Sequence, residues 1–594
     1  MVGSGLSYPA DDGERTPFGR ESIGRTIDRR NRQVLPLLDV STLADALRRL
    51  PEDELVIALR SKLVPIVTVA GLRLFAACGA SAFRMAEENG LKVVAAAAAE
   101  DFLAAVHVSL GRRLADDAAN GLARGRPQFS ASQRLTRGQM ALSIVIGSLL
   151  GLGTAVLPLA VTWFAASLSA ALFFLSVIAV RMLCLLPPPK RHRRPAHVAL
   201  ADSGLPTYTL LVPLHMETSV LGQLLEALMA LDYPCDRLDI KLIIEESDIA
   251  MQRVLAGTGL PEHVDVIVVP CGLPQTKPRA LNYALCFARG SLLTIYDAED
   301  IPDPRQLRRV AAAFAVLPQD TACLQAELVF DNANENWLTR QFTIEYAMLF
   351  GMILPALAAH RLPLPLGGTS NHFRIDALRR AGAWDAYNVT EDADLGIRLA
   401  RLGFDTDTIA SCTFEEANVS LRNWMRQRTR WMKGFLATWL VHMRDPLAVL
   451  QELGPSGFWS MQALTIGVFA SALVHPPCLI ASILLVMWDH GEPAPSTAAG
   501  NLIAGLGLLV FVLGYAVSMI AAWRALRRYR IFGWWRDLMA MPAYWLLMSV
   551  AAWLALWQFI VAPFHWNKTV HGLSRKRVGV GSSAPAPNSS RFAR

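Results

Sequence analysis

The stretch SLLTIYDAED, residues 291–300, decides the fold. Leu292, Leu293 and Ile295 make a near-continuous apolar run of strand length, the pattern of a strand covered on both faces. The run then breaks into Asp297, Glu299 and Asp300. A strand buried on both faces belongs to a parallel sheet flanked by helices, and ligands bind such sheets beyond the carboxyl ends of the strands. The acidic residues fall at that end.

Reading outward, the same grammar repeats. TYTLLVP (207–213), DIKLIIE (239–245) and VDVIVVP (264–270) are strand-like runs. Between and after them lie helical stretches at SVLGQLLEALMAL (219–231), near 278–288 and near 304–316. Strands alternating with helices predict an α/β domain built on a mostly parallel sheet. DIKLIIE ends in Glu245, followed by Glu246, so a second pair of carboxylates falls at a strand end. Carboxylates gathered this way repel one another unless a cation or hydrogen-bond donors satisfy them. Mg²⁺ fits that need, because it takes one or two carboxylates and completes its shell with phosphate and water. The plainer reading of each cluster alone is that acidic residues cap the following helix.

Three further segments carry candidate chemistry. Lys277, in PQTKPRALNYAL, precedes a helix whose N-terminus suits a diphosphate; taken alone it reads equally as a solvated surface lysine. Thr390, Glu391 and Asp392, with Asp394 close behind, open another helix, where a carboxylate can serve as general base or simply favour the helix dipole beside a Thr390 cap. SLRNWMRQRTRWMKGF places Gln427, Arg428, Arg430, Trp431 and Lys433 on a helix with one apolar side, which predicts a helix lying at a membrane surface. On the functional reading Trp431 stacks on a sugar ring and an arginine faces a leaving diphosphate.

Composition places this domain in a membrane protein. Of 594 residues, 53% are hydrophobic and only 18% charged, against about 45–50% and 25% in ordinary globular chains. That excludes a disordered chain, a fibrous chain and an ordinary soluble enzyme. The net charge of +7 does not point to nucleic acid, because the basic residues cluster beside apolar runs, where an anionic membrane face explains them. The eight cysteines show no CxxC spacing and read as free thiols of a reducing compartment.

No charge occurs between Arg137 and Arg181, a run long enough for two spans with a turn between Pro158 and Thr162. Its basic flanks, Arg134 and Arg137 on one side and Arg181 to Arg194 on the other, put both ends in the cytoplasm. Three more runs lie within Gly457–Trp488, kinked at Pro476-Pro477, and at about 497–523 and 538–561. Five spans put the C-terminal tail outside, while Lys568, Arg575, Lys576 and Arg577 argue for inside. The domain reading is therefore a disordered N-terminus (1–35), a small α/β module (36–130), a transmembrane hairpin (138–187), the α/β domain with its interfacial helix (200–445), a membrane region (457–565) and a basic, largely disordered tail (566–594). The module loosely resembles the N-terminal domain of type II secretion ATPases.

Taken together, Glu245-Glu246, Lys277, Asp297-Ala298-Glu299-Asp300, Thr390-Glu391-Asp392 and Gln427-Arg428-Thr429-Arg430-Trp431 resemble the motifs of the processive family 2 glycosyltransferases, among them cellulose, hyaluronan and poly-N-acetylglucosamine synthases. The resemblance is strong over 206–434. It implies a GT-A (Rossmann-like) fold embedded between transmembrane helices in the inner membrane, with the catalytic domain cytosolic. It also implies inverting transfer from a UDP-linked glucose or N-acetylglucosamine to a growing β-linked exopolysaccharide. By it, Glu245 or Glu246 meets the base and ribose, Lys277 and Arg430 the diphosphate, and Asp297 with Glu299 an Mg²⁺ or Mn²⁺ ion. Asp392, flanked by Thr390 and Glu391, is the base, and Gln427 and Trp431 border the acceptor. The family's D-x-D is here Asp297-Ala298-Glu299, which leaves open whether Glu299 or Asp300 completes the metal site. PLGGTSNHFR (365–374) resembles the loop bordering the acceptor channel, and FHWNKTVHGLSR (564–575) the C-terminal gate. Roughly thirty residues after the last apolar run are too few for the cyclic-dinucleotide-binding β-barrel of bacterial cellulose synthase. The partners implied are donor, polysaccharide and bilayer, with export or regulatory proteins and no nucleic acid. The alternatives are a non-processive transferase acting on a lipid carrier and an inactive binding or transport partner.

Overall fold

The computed structural model describes residues 35–69, 72–187, 199–488 and 498–562. The expectations for residues 1–34 and for the tail from 563, including segment 564–575, lie outside the described residues. The chain divides into two compact units, Met1–Arg113 and Leu114–Arg594. In the first, strand Leu63–Val69 pairs antiparallel with Leu72–Cys78, which pairs parallel with Lys92–Ala97. Helix Ala80–Glu88 packs Ala82 and Ala86 against this sheet.

The second unit opens with two apolar helices, α1 (Arg137–Val156) and α2 (Leu159–Leu183), joined at Leu157-Pro158. Thr136 caps α1 in a reciprocal capping box with Gln139. The strands follow: β1 (Tyr208–Leu214), β2 (Leu238–Glu245) and β3 (Val264–Val269). Helix α3 (Lys277–Leu285) leads to β4 (Leu292–Ile295), β5 (Ile301–Pro302) and β6 (Thr321–Phe330). Helix α4 (Trp337–Met348), β7 (Asn371–Arg374), α5 (Glu391–Arg401), β8 (Asp405–Glu415) and α6 (Leu421–His442) complete the domain. The remaining helices are α7 (Pro446–Leu464), α8 (Ile466–Trp488), α9 (Ala498–Arg528) and α10 (Met541–Val561).

The eight strands form one sheet in the order β3-β2-β1-β4-β7-β6-β8-β5. Only β7 and β5 run against the others, so the sheet is mixed but mostly parallel, a GT-A-like arrangement. Its register matters for function. Leu214 pairs with Ile244, Leu211 with Ile295, and Glu415 with Phe330. The carboxyl ends of β1, β2 and β4 therefore align at one rim, and β8 delivers Glu415 as it ends.

β2 carries a buried lysine. Lys241 Nζ lies 2.8 Å from Asp239 and 2.6 Å from Asp265, with Arg289 also 2.8 Å from Asp239. Breaking such a network by removing one partner costs about 3–5 kcal/mol, since a buried charge loses its compensation. Lys241→Met is accordingly expected to lower the thermal midpoint of the detergent-solubilised protein sharply; a variant that melts with the parent contradicts this.

Among the described residues, five helices are long and apolar enough to cross a membrane: α1, α2 (from Val161), Trp337–Ala359, α9 and α10. The bent pair α7 and α8 raises this to six. The structure adds to the expected spans. The described bend, 43°, falls between Leu464 and Ile466, where Thr465 leaves helical geometry at φ −107° and ψ −88°. Trp337–Ala359, not counted from the sequence, passes the same test although 61% of its apolar window is buried inside the protein. The basic helix α6 leaves Leu421, Arg422 and Arg426 exposed and buries its other side. Trp424, Arg428, Met432 and Lys433 are all buried, and α6 packs on α8 and α10 through Met432, Leu436 and Ala552.

Candidate active site

A cavity of about 2060 Å³ begins at the carboxyl rim of the sheet and continues between α2, α8, α9 and α10. Glu245, Lys277, Asp297, Glu299, Thr390, Glu391, Asp392, Gln427, Arg430 and Trp431 all line it. Segments separated by up to 186 positions in sequence thus reach one space. Glu246 is the exception among the candidates: its carboxylate accepts the Cys271 N–H at 2.9 Å in the neighbouring loop.

Each side chain is delivered by the end of an element. Glu245 is the last residue of β2 and lies 3.5 Å from Arg279. Burial pushes its carboxyl up to about 7, with Arg279 opposing. Lys277 is the first residue of α3. Its ammonium pairs with Asp297 and donates to the Gly368 carbonyl at 2.8 Å. Burial favours its neutral form, but Asp297, Glu391 and Asp392 outweigh that and hold it charged, above the usual lysine range.

Asp297 and Glu299 follow β4. Asp300 turns back into this loop, where it accepts the Asp297 N–H at 2.7 Å and the Thr369 hydroxyl. It is 1% exposed. The structure thus brings Glu299, not Asp300, to the cavity beside Asp297. Burial, then Asp297 and Glu299, raise the Asp300 carboxyl. The segment 365–374 supplies Gly367, Gly368 and Thr369 to the same wall.

Glu391 and Asp392 form the first turn of α5. Burial and the adjacent Asp392 push Glu391 up to about 7, while Lys277 and Arg430 pull it down. Asp392 is raised by burial, against the Ala393 N–H it accepts at 2.8 Å and the charges of Lys277 and Arg430. Thr390 stands at the cap position, yet its side chain does not cap the helix. Its hydroxyl faces Asn388 and Thr438 instead, each at 3.4 Å. Asp394 points away from the cavity, pairing with Arg398 at 2.8 Å and His442 at 3.2 Å.

Two close approaches fix α5. A Cβ on Gly396 would fall 1.9 Å from the Leu364 carbonyl, and one on Gly434 of α6 would fall 2.3 Å from Thr390 Cγ2. Glycine at 434 is what lets α6 lie against the turn that carries Thr390, Glu391 and Asp392 and bring Gln427, Arg430 and Trp431 to the same cavity. Gln427 accepts from Asn418 at 2.8 Å. Burial lowers the Arg430 pKa, while Glu391, Asp392 and Asp297 support its charge.

Sequence reasoning missed Glu415, which lines the cavity opposite these acids. Burial, then Asp300, Glu299 and Asp297, push its carboxyl well up. Its signal was available: FEEA ends a strand in carboxylates just as KLIIEE does. Among the described residues no three His, Cys, Asp or Glu side chains gather as a metal cage. The donor set is instead three cavity-lining carboxylates, Asp297, Glu299 and Glu415, with Asp300 buried behind them, and Asp300 Oδ1 and Glu415 Oε1 are buried and lack hydrogen-bond partners. That chemistry fits a hard divalent cation whose remaining ligands come from phosphate and water.

Residues 206–434 match the family described as Glycosyltransferase like family 2. This stretch is similar to family 2 glycosyltransferase domains. The chain is 28% identical over 239 residues to the probable glycosyltransferase YdaM of Bacillus subtilis (strain 168), covering 39% of this chain and 55% of that protein. It is 24% identical over 343 residues to the β-monoglucosyldiacylglycerol synthase of Nostoc sp. (strain PCC 7120), covering 57% and 68%. It is also 24% identical over 245 residues to the probable glucomannan 4-β-mannosyltransferase 1 of Arabidopsis thaliana, covering 40% and 44%. The alignment thus spans little more than half of the first of these relatives.

Proposed function

We propose that the chain is a membrane-embedded, inverting glycosyltransferase that moves a sugar from a nucleotide-diphospho-sugar, UDP-glucose or UDP-N-acetylglucosamine, to a growing β-linked polysaccharide. Transfer is processive and coupled to export across the inner membrane, with the catalytic domain on the cytosolic side. The single observation that carries this reading is the cavity. At about 2060 Å³ it exceeds a pocket for one small ligand, about 300–1,000 Å³, and it runs on from the acidic rim into the apolar helices.

In this reading the base and ribose lie at Glu245 and the diphosphate between Lys277 and Arg430. Asp297 and Glu299 would hold Mg²⁺ or Mn²⁺. When bound, the cation supplies charge neutralisation on the departing diphosphate. The acceptor hydroxyl attacks the anomeric carbon from the face opposite the diphosphate. The new C–O bond forms as the bond to the diphosphate oxygen breaks, and the electron pair leaves with the nucleoside diphosphate. The hydroxyl proton passes to Asp392. Trp431 and Gln427 seat the acceptor sugar. Phe174, Phe511 and Tyr515, further along the cavity, offer aromatic faces to the apolar faces of successive pyranose rings.

The pH dependence follows from burial. A base must be ionised, and burial raises the Glu391–Asp392 pair, so activity is present at high pH and lost as pH falls through the raised value. The acid limb of kcat/KM is expected above the ordinary carboxylate value of about 4, because burial raises Asp392 and its neighbour Glu391. Lys277 pulls both carboxyls down, so Lys277→Ala is expected to move the limb to higher pH. A limb that stays near the ordinary value in both proteins contradicts the assignment.

A second reading has one observation in its favour. The membrane half of the cavity is mostly apolar, lined by residues such as Val468, Ile503 and Leu508, which suits a lipid acceptor receiving one sugar. Incubating purified membranes with labelled nucleotide sugars and Mg²⁺, then sizing the product, separates the two. A polymer supports the first reading; a single-sugar lipid supports the second. No transfer from any donor leaves neither and favours an inactive binding or transport partner.

A further inference from the structure

Arg428 lies on α6, one turn before Trp431, and is 2% exposed. Its two terminal nitrogens donate to the two carboxylate oxygens of Glu345 on α4, each at 2.7 Å. Nη2 also donates to the Tyr544 hydroxyl of α10 at 3.1 Å, and that hydroxyl donates to Glu345 Oε2 at 2.7 Å. Trp424 Nε1 donates to the same hydroxyl at 3.2 Å. The guanidinium carbon sits 4.3 Å from the Phe342 ring centre and 4.5 Å from that of Trp431. Three helices distant in sequence therefore converge behind one indole.

We propose that Arg428, held by Glu345 and Tyr544, is a positioning residue: it sets the plane of Trp431 and so the seat of the acceptor's terminal sugar. The proposal rests on the reading that Trp431 borders the acceptor. The physical argument starts from what a buried ion pair supplies. Desolvation offsets most of its Coulombic gain, and apolar side chains of similar size are often at least as stable in its place. What apolar packing lacks is direction. A bidentate carboxylate fixes the guanidinium plane, and a guanidinium stacked on an indole fixes the ring in turn. Glu345, Tyr346, Trp431 and Tyr544 all line the cavity, so the clamp stands in the wall between the acidic rim and the membrane half. It also separates the two arginines of the motif. Arg428 has its own carboxylate, while Arg430 faces Glu391, Asp392 and Asp297.

The test compares Arg428→Lys, Glu345→Gln and the double variant Arg428→Met/Glu345→Met with the parent, as full chains in lipid nanodiscs. Three readouts are taken: affinity for the nucleoside diphosphate, hydrolysis of the donor by water, and transfer to acceptor with product length. All three variants are expected to lose transfer by at least about tenfold and to shorten the product, as misplacing a reactant does. Nucleotide affinity and donor hydrolysis are expected to change by less than about twofold, the pattern of a lost acceptor interaction. The apolar double variant guards against misfolding: its melting is expected to match the parent while its transfer is lost. An active parent whose variants transfer normally, or lose hydrolysis and transfer together, overturns the clamp alone. A parent that transfers from no nucleotide sugar overturns the transferase reading, and the clamp falls with it.

Discussion

Asp392→Asn is expected to reduce transfer by ~10²–10⁴-fold, the span of general-base contributions, while nucleotide affinity stays within about twofold of the parent. The amide keeps the shape of the side chain and can no longer take a proton. It also removes one charge from a group crowded by burial, so the neighbouring Glu391 loses the repulsion that helps push it to about 7. The variant is therefore expected to melt no lower than the parent. Single-turnover transfer with labelled donor, set beside equilibrium binding of the nucleoside diphosphate, measures both halves. Substantial turnover in this variant removes Asp392 from the role of base, and a parallel loss of nucleotide binding assigns it to the donor instead.

Gly434→Ala tests whether the turn carrying Glu391 and Asp392 must be held in place from behind. The new Cβ would fall 2.3 Å from Thr390 Cγ2, 2.4 Å from its hydroxyl and 2.8 Å from its Cβ. None of these is the far end of a flexible chain. Either α6 or the turn carrying Glu391 and Asp392 must move by the order of an ångström, and displacement on that scale costs about 10²-fold in rate. The expected result is a variant that inserts, binds nucleotide and transfers about 10²-fold more slowly. Combining it with Thr390→Gly, which removes all three clashing atoms, is expected to give less loss than the product of the two single effects. Strict additivity contradicts the steric account.

The α/β core could be read from sequence because its strands are buried on both faces and carry continuous apolar runs that end in charge. SLLTIYDAED and DIKLIIEE need no partner to be recognised. What escaped notice depends on partners far along the chain. β7, with the sequence NHFR, is short and polar; it is a strand because His372 pairs with Thr294 on one side and Leu324 on the other. The charges of α6 resemble a solvated face until Glu345 and Tyr544, more than 80 positions away, are seen to satisfy Arg428. Glu299 and Asp300 could not be separated by spacing, because Thr369, a residue of another segment, turns Asp300 inward. The bend at Thr465 has no proline to announce it, whereas Pro476-Pro477 attracted the expectation.

The account turns on acids from distant segments acting together on one diphosphate next to a passage through the helices. Its most direct test is the structure of the full chain in lipid nanodiscs with UDP and Mg²⁺. The predicted result places the diphosphate between Lys277, Asp297 and Arg430, the uracil against Glu245, and Asp392 facing the vacant sugar position above Trp431. A nucleotide bound elsewhere on the molecule, or with Asp392 and Trp431 turned away from it, contradicts the account.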